Sequence, residues 1–150
     1  MNNVTLDTTV LAKGIIPPRR RKNDPIYAEQ FRLYTVAKSI IREVETGLAV
    51  MNIPSVAIVE IAAVGARLTG KEGRGILASE YVRNYGHILH DVYLLDDAVR
   101  IAAKTKISGF DSVFIACARI TDSTLITDDK GMYDAALKAG IRAKLLRNIQ

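Results

Sequence analysis

The sequence predicts an α/β fold with three layers, α/β/α, in which helices cover both faces of a mainly parallel central sheet. Short apolar stretches suited to strands alternate with longer stretches of helical spacing along the whole chain. This alternation requires right-handed crossover connections, which are typical of parallel sheets. Two strand-like stretches, VTLD and TLITDD, run directly into aspartates. Because functional groups gather at the carboxyl ends of such strands, we expect a functional site there.

The first half of the chain is divided by caps and by glycine or proline breakers. Asp24-Pro25 suits a helix start, since aspartate caps and proline fits the first helical position. Gly47 and Gly70 each suit a helix end. The expected elements are a strand at 3–7, a mostly loop segment at 8–23, a helix from 24 to 47, a strand at 48–53, a helix from 54 to 70, and a helix at 71–85 that Gly73 and Gly75 weaken.

The second half continues the alternation of strands and helices. We expect Asp96 or Asp97 to cap one helix, and Asp128 or Asp129 to cap another. The expected elements are a strand at 88–94, a helix ending near 106, a helix opened by ISGFD, a strand at 124–127, a helix at 132–139 and a last strand at 141–146.

Length and composition indicate one ordinary globular domain spanning residues 1–150. Hydrophobic residues make up 49% of the chain and charged residues 25%. No apolar run approaches the roughly 20 residues of a membrane span, and the N-terminus lacks the pattern of a secretion signal. The single cysteine, Cys117, cannot form an internal disulfide and suits a small buried core residue. We therefore expect a cytoplasmic protein with no membrane association.

Four carboxylates stand out by their settings. Asp7 ends the first strand, Asp111 opens a helix, and Asp129 follows TLIT. Glu60 is surrounded on its helix by small and apolar residues, where an unpaired carboxylate would be costly. Each has a structural explanation as well: a turn for Asp7, a helix cap for Asp111 or Asp129, and an ion pair with Arg67 for Glu60.

Together the four carboxylates suit a hard cation such as Mg²⁺ or Mn²⁺. Two such ions about 4 Å apart could hold both the attacking and the leaving oxygen of a phosphodiester. The rest of the chain is basic, with a net charge of +5. Basic residues concentrate in the segment Arg19, Arg20, Arg21 and Lys22, which we expect to contact a nucleic-acid backbone. The acids would then hold metal and the basic surface would hold phosphate.

The ordered set VTLDTTVL, IPSVAIVEIAA, GFDSVFIACA and TLITDDKGMYDAA resembles the PIN-domain ribonucleases, and more narrowly the VapC toxins of toxin–antitoxin pairs. The resemblance extends from residue 4 to about residue 146. It places the family's four acids on Asp7, Glu60, Asp111 and Asp129. It also suggests outer-shell roles for Thr8, Thr127 and Asp128. The chain departs from many relatives at Ser112, where an alanine commonly follows the third acid.

The resemblance implies a set of functional properties. These are cleavage of RNA by a water activated by Mg²⁺ or Mn²⁺, products with a 5′-phosphate and a 3′-hydroxyl, a homodimer, and inhibition by a cognate antitoxin that covers the active-site groove.

Competing interpretations remain open to test. A non-catalytic RNA-binding or scaffold protein with a PIN-like fold is the main alternative. A haloacid dehalogenase phosphatase is disfavoured because position 9 is Thr9, and a response-regulator receiver because the paired acids come late in the chain. His87 and His90 are poor joint metal ligands on one strand. For Tyr27 and Tyr34 we expect core or dimer packing rather than base stacking.

Overall fold

The computed structural model describes residues 2–19 and 24–150. Five parallel strands form one sheet in the order β3-β2-β1-β4-β5. The strands are β1 (Asn2–Leu6), β2 (Ala49–Pro54), β3 (Gly86–Leu89), β4 (Thr124–Thr127) and β5 (Ala143–Leu145). The central strand β1 pairs with β2 on one side and β4 on the other, so the predicted α/β/α fold with a parallel sheet is confirmed.

Seven α-helices surround this sheet in the described part of the chain. They are α1 (Thr8–Ile15), α2 (Pro25–Glu45), α3 (Val56–Thr69), α4 (Glu72–Tyr85), α5 (Leu95–Thr105), α6 (Gly109–Ile120) and α7 (Lys130–Lys138). The predicted start of α2 is confirmed, since the Asp24 carboxylate accepts a hydrogen bond from the Ile26 backbone N–H at 2.9 Å. Gly70 ends α3 with a left-handed φ of 70°, as a C-terminal glycine cap should. None of the described helices is long and apolar enough to span a bilayer.

The expectation that residues 8–23 are mostly loop is wrong for residues 8–15, which form α1. Asp7 caps this helix, because its Oδ1 accepts from the Val10 backbone N–H at 2.8 Å. Gly14 lies inside α1 because the helix packs closely on α2. A Cβ at Gly14 would lie only 2.3 Å from the Ile41 Cδ1 atom. What looks like a breaker in the sequence is therefore a close-packing position.

Two expectations for residues 88–97 are also wrong. β3 covers Gly86–Leu89, and Asp91–Leu94 form a short 3₁₀ turn instead of a strand. The Asp91 carboxylate accepts from the Val56 backbone N–H at 3.2 Å, so it serves the start of α3 instead of extending β3. Neither Asp96 nor Asp97 is the N-cap of α5. Both lie in its first turn, where the helix dipole stabilises acidic side chains.

The core lies between the sheet and the helices that cover it. Helix α6 contributes five consecutive buried residues to this core, from Phe114 to Ala118. Cys117 lies in this run and is fully buried, as expected, and burial raises the pKa of its thiol to about 12. The apolar packing of α6 fixes the position of its first turn, which carries Asp111.

Helices α3 and α4 approach each other through two glycines. A Cβ at Gly75 would lie 2.2 Å from the Ala62 carbonyl oxygen, and one at Gly65 would lie 3.1 Å from the Gly75 Cα atom. The helix at 71–85 is therefore confirmed, and Gly75 serves it by allowing backbone contact with α3. This contact matters for the site because α3 carries Glu60.

We predict opposite effects for alanine at two glycines of α4. Gly75→Ala should lower the free energy of unfolding by about 1–3 kcal/mol, because the new methyl group has no space against α3. Gly73→Ala is the matched control, since nothing lies within 4 Å of a Cβ there. Alanine at that position should raise stability by about 0.5–1 kcal/mol through helix propensity. Urea unfolding of both variants measures this, and equal effects would contradict the close packing of α3 on α4.

Candidate active site

Asp7 lies at the carboxyl end of the central strand and is only 2% exposed. Its Oδ1 accepts from the Val10 backbone N–H at 2.8 Å and from the Thr9 hydroxyl at 2.7 Å. Its Oδ2 accepts a hydrogen bond from the Thr127 hydroxyl. A carboxylate offers about four acceptor positions, so about one remains open. Burial raises the pKa of Asp7, although these hydrogen bonds and the charge of Lys13 oppose the rise.

Thr127 joins two of the four acids selected from the sequence. Its hydroxyl donates to Asp7 and accepts from the Asp129 backbone N–H at 3.0 Å. The Asp129 side chain caps α7, because its Oδ1 accepts from the Met132 backbone N–H at 2.9 Å. The expectation that one aspartate of the pair caps this helix is confirmed. The carboxyl ends of β1 and β4 are thus connected through side chains.

Glu60 projects from α3 toward the same end of the sheet, and its Oε2 atom is buried without a hydrogen-bond partner among the described residues. Burial raises the pKa of Glu60, and the charges of Asp111 and Asp7 raise it further. The Thr8 hydroxyl lies near enough to lower this pKa, yet it falls outside hydrogen-bond geometry and is itself buried without a partner. Arg67 has the weakest of these effects, so the ion pair considered from the sequence does not explain Glu60.

Asp111 lies in the first turn of α6 and is half-buried. Burial raises the pKa of its carboxyl, the Ser108 hydroxyl lowers it, and the charge of Asp129 raises it. We refer to Asp7, Glu60, Asp111 and Asp129 as the acid cluster.

Charge interactions connect the acid cluster from end to end. The charges of Asp111 and Asp7 raise the pKa of Glu60, and the charge of Asp129 raises the pKa of Asp111. These residues come from four separate places in the chain, and the charge effects link them in pairs. Within residues 2–19 and 24–150, however, no group of three or more His, Cys, Asp or Glu side chains is placed to hold one ion. The same holds for the histidines. His87 forms a hydrogen bond to Asn52 instead, with 2.8 Å between its Nδ1 atom and the Asn52 Oδ1 atom.

Asp128 has different partners from its neighbour Asp129. Its Oδ2 accepts from the Lys13 ammonium at 2.7 Å, and its Oδ1 accepts from the Arg147 guanidinium at 3.0 Å. Burial alone would raise the pKa of Asp128, but the hydrogen bonds and charges of Lys13 and Arg147 together lower it. The side chain therefore stays ionised and bridges two cations beside the acid cluster.

Two residues near the site were not found from the sequence. Thr9 donates a hydrogen bond to Asp7, and Lys13 donates one to Asp128. Both lie on α1, which was expected to be loop. Had Asp7 been recognised as a helix cap, the spacing of the following residues would have placed Thr9 beside it. Of the basic segment expected to contact RNA, only Arg19 lies within the described residues. Arg20, Arg21 and Lys22 lie outside them.

The sequence matches the PIN domain family over residues 4–138, which is most of the chain. The chain belongs to the PIN-domain family. PIN domains are generally nucleases, so membership supports a hydrolase. No curated protein matches the chain significantly.

Solved structures share the fold of this PIN domain at low sequence identity. FitAcB from Neisseria gonorrhoeae is 16% identical with a TM-score of 0.66, and the match covers 97% of this chain and 99% of that one. FitAB bound to an IR36 DNA fragment is 18% identical with a TM-score of 0.65, covering 98% and 97%. VapBC2 from Rickettsia felis, bound to a promoter DNA fragment, is 11% identical with a TM-score of 0.63, covering 95% and 98%.

The raised pKa of Glu60 predicts a stability effect in the presence of EDTA. Because the folded protein holds this proton more tightly than the unfolded chain, the stability that the proton contributes is complete below the ordinary value of 4.5. It is lost as the pH rises through the folded pKa. Glu60→Gln should remove this loss, so the variant should gain stability relative to the parent as the pH rises from about 4.5.

Urea unfolding across pH 4 to 8 measures this difference, at roughly one-unit intervals around the ordinary carboxyl range. Glu80→Gln is the control for removing an exposed glutamate, since Glu80 lies on the outer side of α4. A Glu60→Gln difference that stays constant across this range would contradict the raised pKa.

Proposed function

We propose that this PIN domain is a metal-dependent endoribonuclease, in which Asp7, Glu60, Asp111 and Asp129 bind Mg²⁺ or Mn²⁺. The observation that carries the proposal is the acid cluster, in which Asp7 and Asp129 follow the carboxyl ends of β1 and β4 and their charges act on Glu60 and Asp111. Neighbouring carboxylates raise the pKa of Glu60 and of Asp111, which makes the arrangement unfavourable unless a cation offsets the negative charge. Family membership supports the nuclease activity.

The donor atoms of the acid cluster are of the type that suits a hard divalent cation. All four offer carboxylate oxygens, which are the ligands that Mg²⁺ and Mn²⁺ prefer. The buried Oε2 atom of Glu60 has no other partner among the described residues, and Asp7 keeps about one open acceptor position. A bound ion would supply a water of lowered pKa as the nucleophile toward the phosphodiester.

The side chains around the acid cluster prepare it for this reaction. Thr127 and Thr9 fix the orientation of the Asp7 carboxylate, so that its remaining lone pair has a set direction. The Glu60 carboxylate is desolvated and close to Thr8, and its Oε2 atom, which has no partner among the described residues, would be available to the ion. Lys13, which is held by Asp128, places a positive charge beside the acids. This charge would reduce the repulsion between the carboxylates and the negative charge of a phosphodiester. Outer-shell roles for Thr8, Thr127 and Asp128 belong to this proposal.

The proposal extends to the biological setting as a toxin of a toxin–antitoxin pair. The similarity of the fold to chains of the VapBC2 and FitAB complexes, together with the sequence resemblance to VapC toxins, supports this part. It implies a cognate antitoxin as partner, a homodimer, RNA as substrate and a cytoplasmic location.

A non-catalytic RNA-binding or scaffold function is the second candidate. It is favoured by the finding that, as placed, no three acidic, histidine or cysteine side chains of the described residues could hold one ion. Under this alternative the protein would bind RNA without cutting it in the presence of Mn²⁺.

Substitutions in the acid cluster should abolish cleavage of a labelled RNA in Mn²⁺. Asp7→Asn and Glu60→Gln should each reduce the rate by more than about a hundredfold, because each removes a charged oxygen from the ion site. Asp134→Asn is the matched control on α7, since Asp134 is exposed and pairs with Lys130 at 2.9 Å. Normal cleavage per folded molecule by Glu60→Gln would show that Glu60 has a structural role.

Added Mn²⁺ should stabilise the folded protein at neutral pH. At a concentration of about 100 times Kd, binding contributes about 2.7 kcal/mol. For a domain of this size that corresponds to a rise in Tm of about 5–10 °C. The rise should shrink in Asp7→Asn and persist in Asp134→Asn, as measured by differential scanning calorimetry. A parent protein whose Tm does not move in millimolar Mn²⁺ would speak against the ion site.

A further inference from the structure

A cavity of about 490 Å³ lies beside the acid cluster. Its walls come from α1, the segment that follows α1, the first turns of α2 and the second half of α3. The residues that matter here are Thr9, Lys13, Tyr27, Tyr34, Val64 and Leu68. Its volume falls within the range of about 300–1,000 Å³ that is typical of small-molecule sites.

The cavity adjoins the acid cluster through Thr9 on one wall and α3 on another. Thr9 lines the cavity, and its hydroxyl donates to the Asp7 Oδ1 atom at 2.7 Å. Val64 and Leu68 line it as well, and they follow Glu60 on α3 by one and two helical turns. A polymer with one phosphate at the acid cluster would therefore bring a neighbouring unit to the cavity.

Two tyrosines supply aromatic surface to this cavity. Tyr27 and Tyr34 lie seven residues apart on α2 and are half-buried. The core side of α2 is formed instead by Leu33, Ala37, Ile41 and Val44. Of the core or dimer packing expected for the two tyrosines, core packing is therefore wrong, whereas dimer packing stays a prediction. Aromatic rings in a groove are the platforms on which proteins stack unpaired bases of single-stranded nucleic acid.

The charges around the cavity favour an anionic ligand. Lys13 and Arg19 line it, against the single carboxylate of Asp24, whose Oδ1 is engaged by the Ile26 backbone N–H. Lys13 is held in place at 2.7 Å by Asp128, which also binds Arg147. Among the residues that line the cavity, the two cations Lys13 and Arg19 therefore outnumber the one carboxylate, which suits a backbone phosphate.

We propose that this cavity is a subsite for one nucleotide of single-stranded RNA adjacent to the scissile phosphate. The base stacks on Tyr27 or Tyr34, and its phosphate meets Lys13. This inference rests on the proposed ribonuclease function and gives it a site for base recognition. An apolar protein segment is the competing occupant, since Val64 and Leu68 also line the cavity. The paired tyrosines and the positive charge favour the nucleotide.

A binding experiment tests the subsite independently of cleavage. Short unstructured RNAs carry the fluorescent base 2-aminopurine at each position in turn, and EDTA prevents metal-dependent cutting. The parent protein should quench the fluorescence at one position through stacking. At least one of Tyr27→Ala and Tyr34→Ala should weaken binding about tenfold and reduce the quenching, according to which ring carries the base. Tyr27→Phe keeps the ring and should retain both signals.

Tyr93→Ala is the matched control, because Tyr93 is 76% exposed and lies outside the residues that line the cavity. It should bind and quench as the parent does. Thermal melting of every variant establishes that it is folded, and Tyr27→Phe shows whether loss of the ring or loss of folding is responsible for a defect.

Cleavage kinetics in Mn²⁺ separate the two proposals. If the subsite exists, the alanine variant that loses the quenching should raise KM about tenfold with a smaller change in kcat. Metal-dependent cleavage with unchanged KM in both alanine variants would overturn the subsite and leave the nuclease function standing. Ring-dependent quenching in EDTA without any cleavage in Mn²⁺ would retain the subsite and overturn the nuclease function. A parent protein that neither binds nor cuts RNA would overturn both.

Discussion

The buried carboxylate of Asp7 is the constraint on which the site depends. A charge at this depth is costly unless hydrogen bonds satisfy it, and Val10, Thr9 and Thr127 supply them. Thr127 belongs to β4, so the bond can form only when β4 pairs with the central strand in its observed register, with Leu6 opposite Ile126. The capping of α1, the pairing of the two strands and the orientation of the carboxylate are therefore one structural event.

The distribution of charge gives each part of the site a separate role. Asp128 and Asp129 are adjacent, yet Asp128 binds Lys13 and Arg147 whereas Asp129 caps α7 and raises the pKa of Asp111. The first aspartate anchors cations at the rim, and the second extends the acid cluster. Acids that suit a metal ion are thus bordered by cations that suit phosphate. This arrangement explains how a chain with a net charge of +5 carries an acidic site.

Local sequence signals predicted much of the fold, including the parallel sheet, the start of α2 at Asp24 and the strand before Asp128. The errors arose where a contact distant in the sequence decided the local structure. Gly14 looks like a breaker but lies in α1, where it packs on α2. Asp91 ends β3 early by serving the start of α3, 35 residues away. Likewise, the four acids could be selected from their settings, whereas Lys13 could not, because its partner Asp128 lies 115 residues further along the chain.

Anomalous scattering from Mn²⁺ in crystals of the protein is the most direct test of the central claim that the acid cluster binds a divalent cation. The account predicts a manganese peak at the carboxyl ends of β1 and β4, about 2 Å from an oxygen of Asp7 and from an oxygen of at least one other acid of the cluster. The account would be contradicted if the manganese occupied other surface carboxylates and left Asp7 and Glu60 without a bound ion.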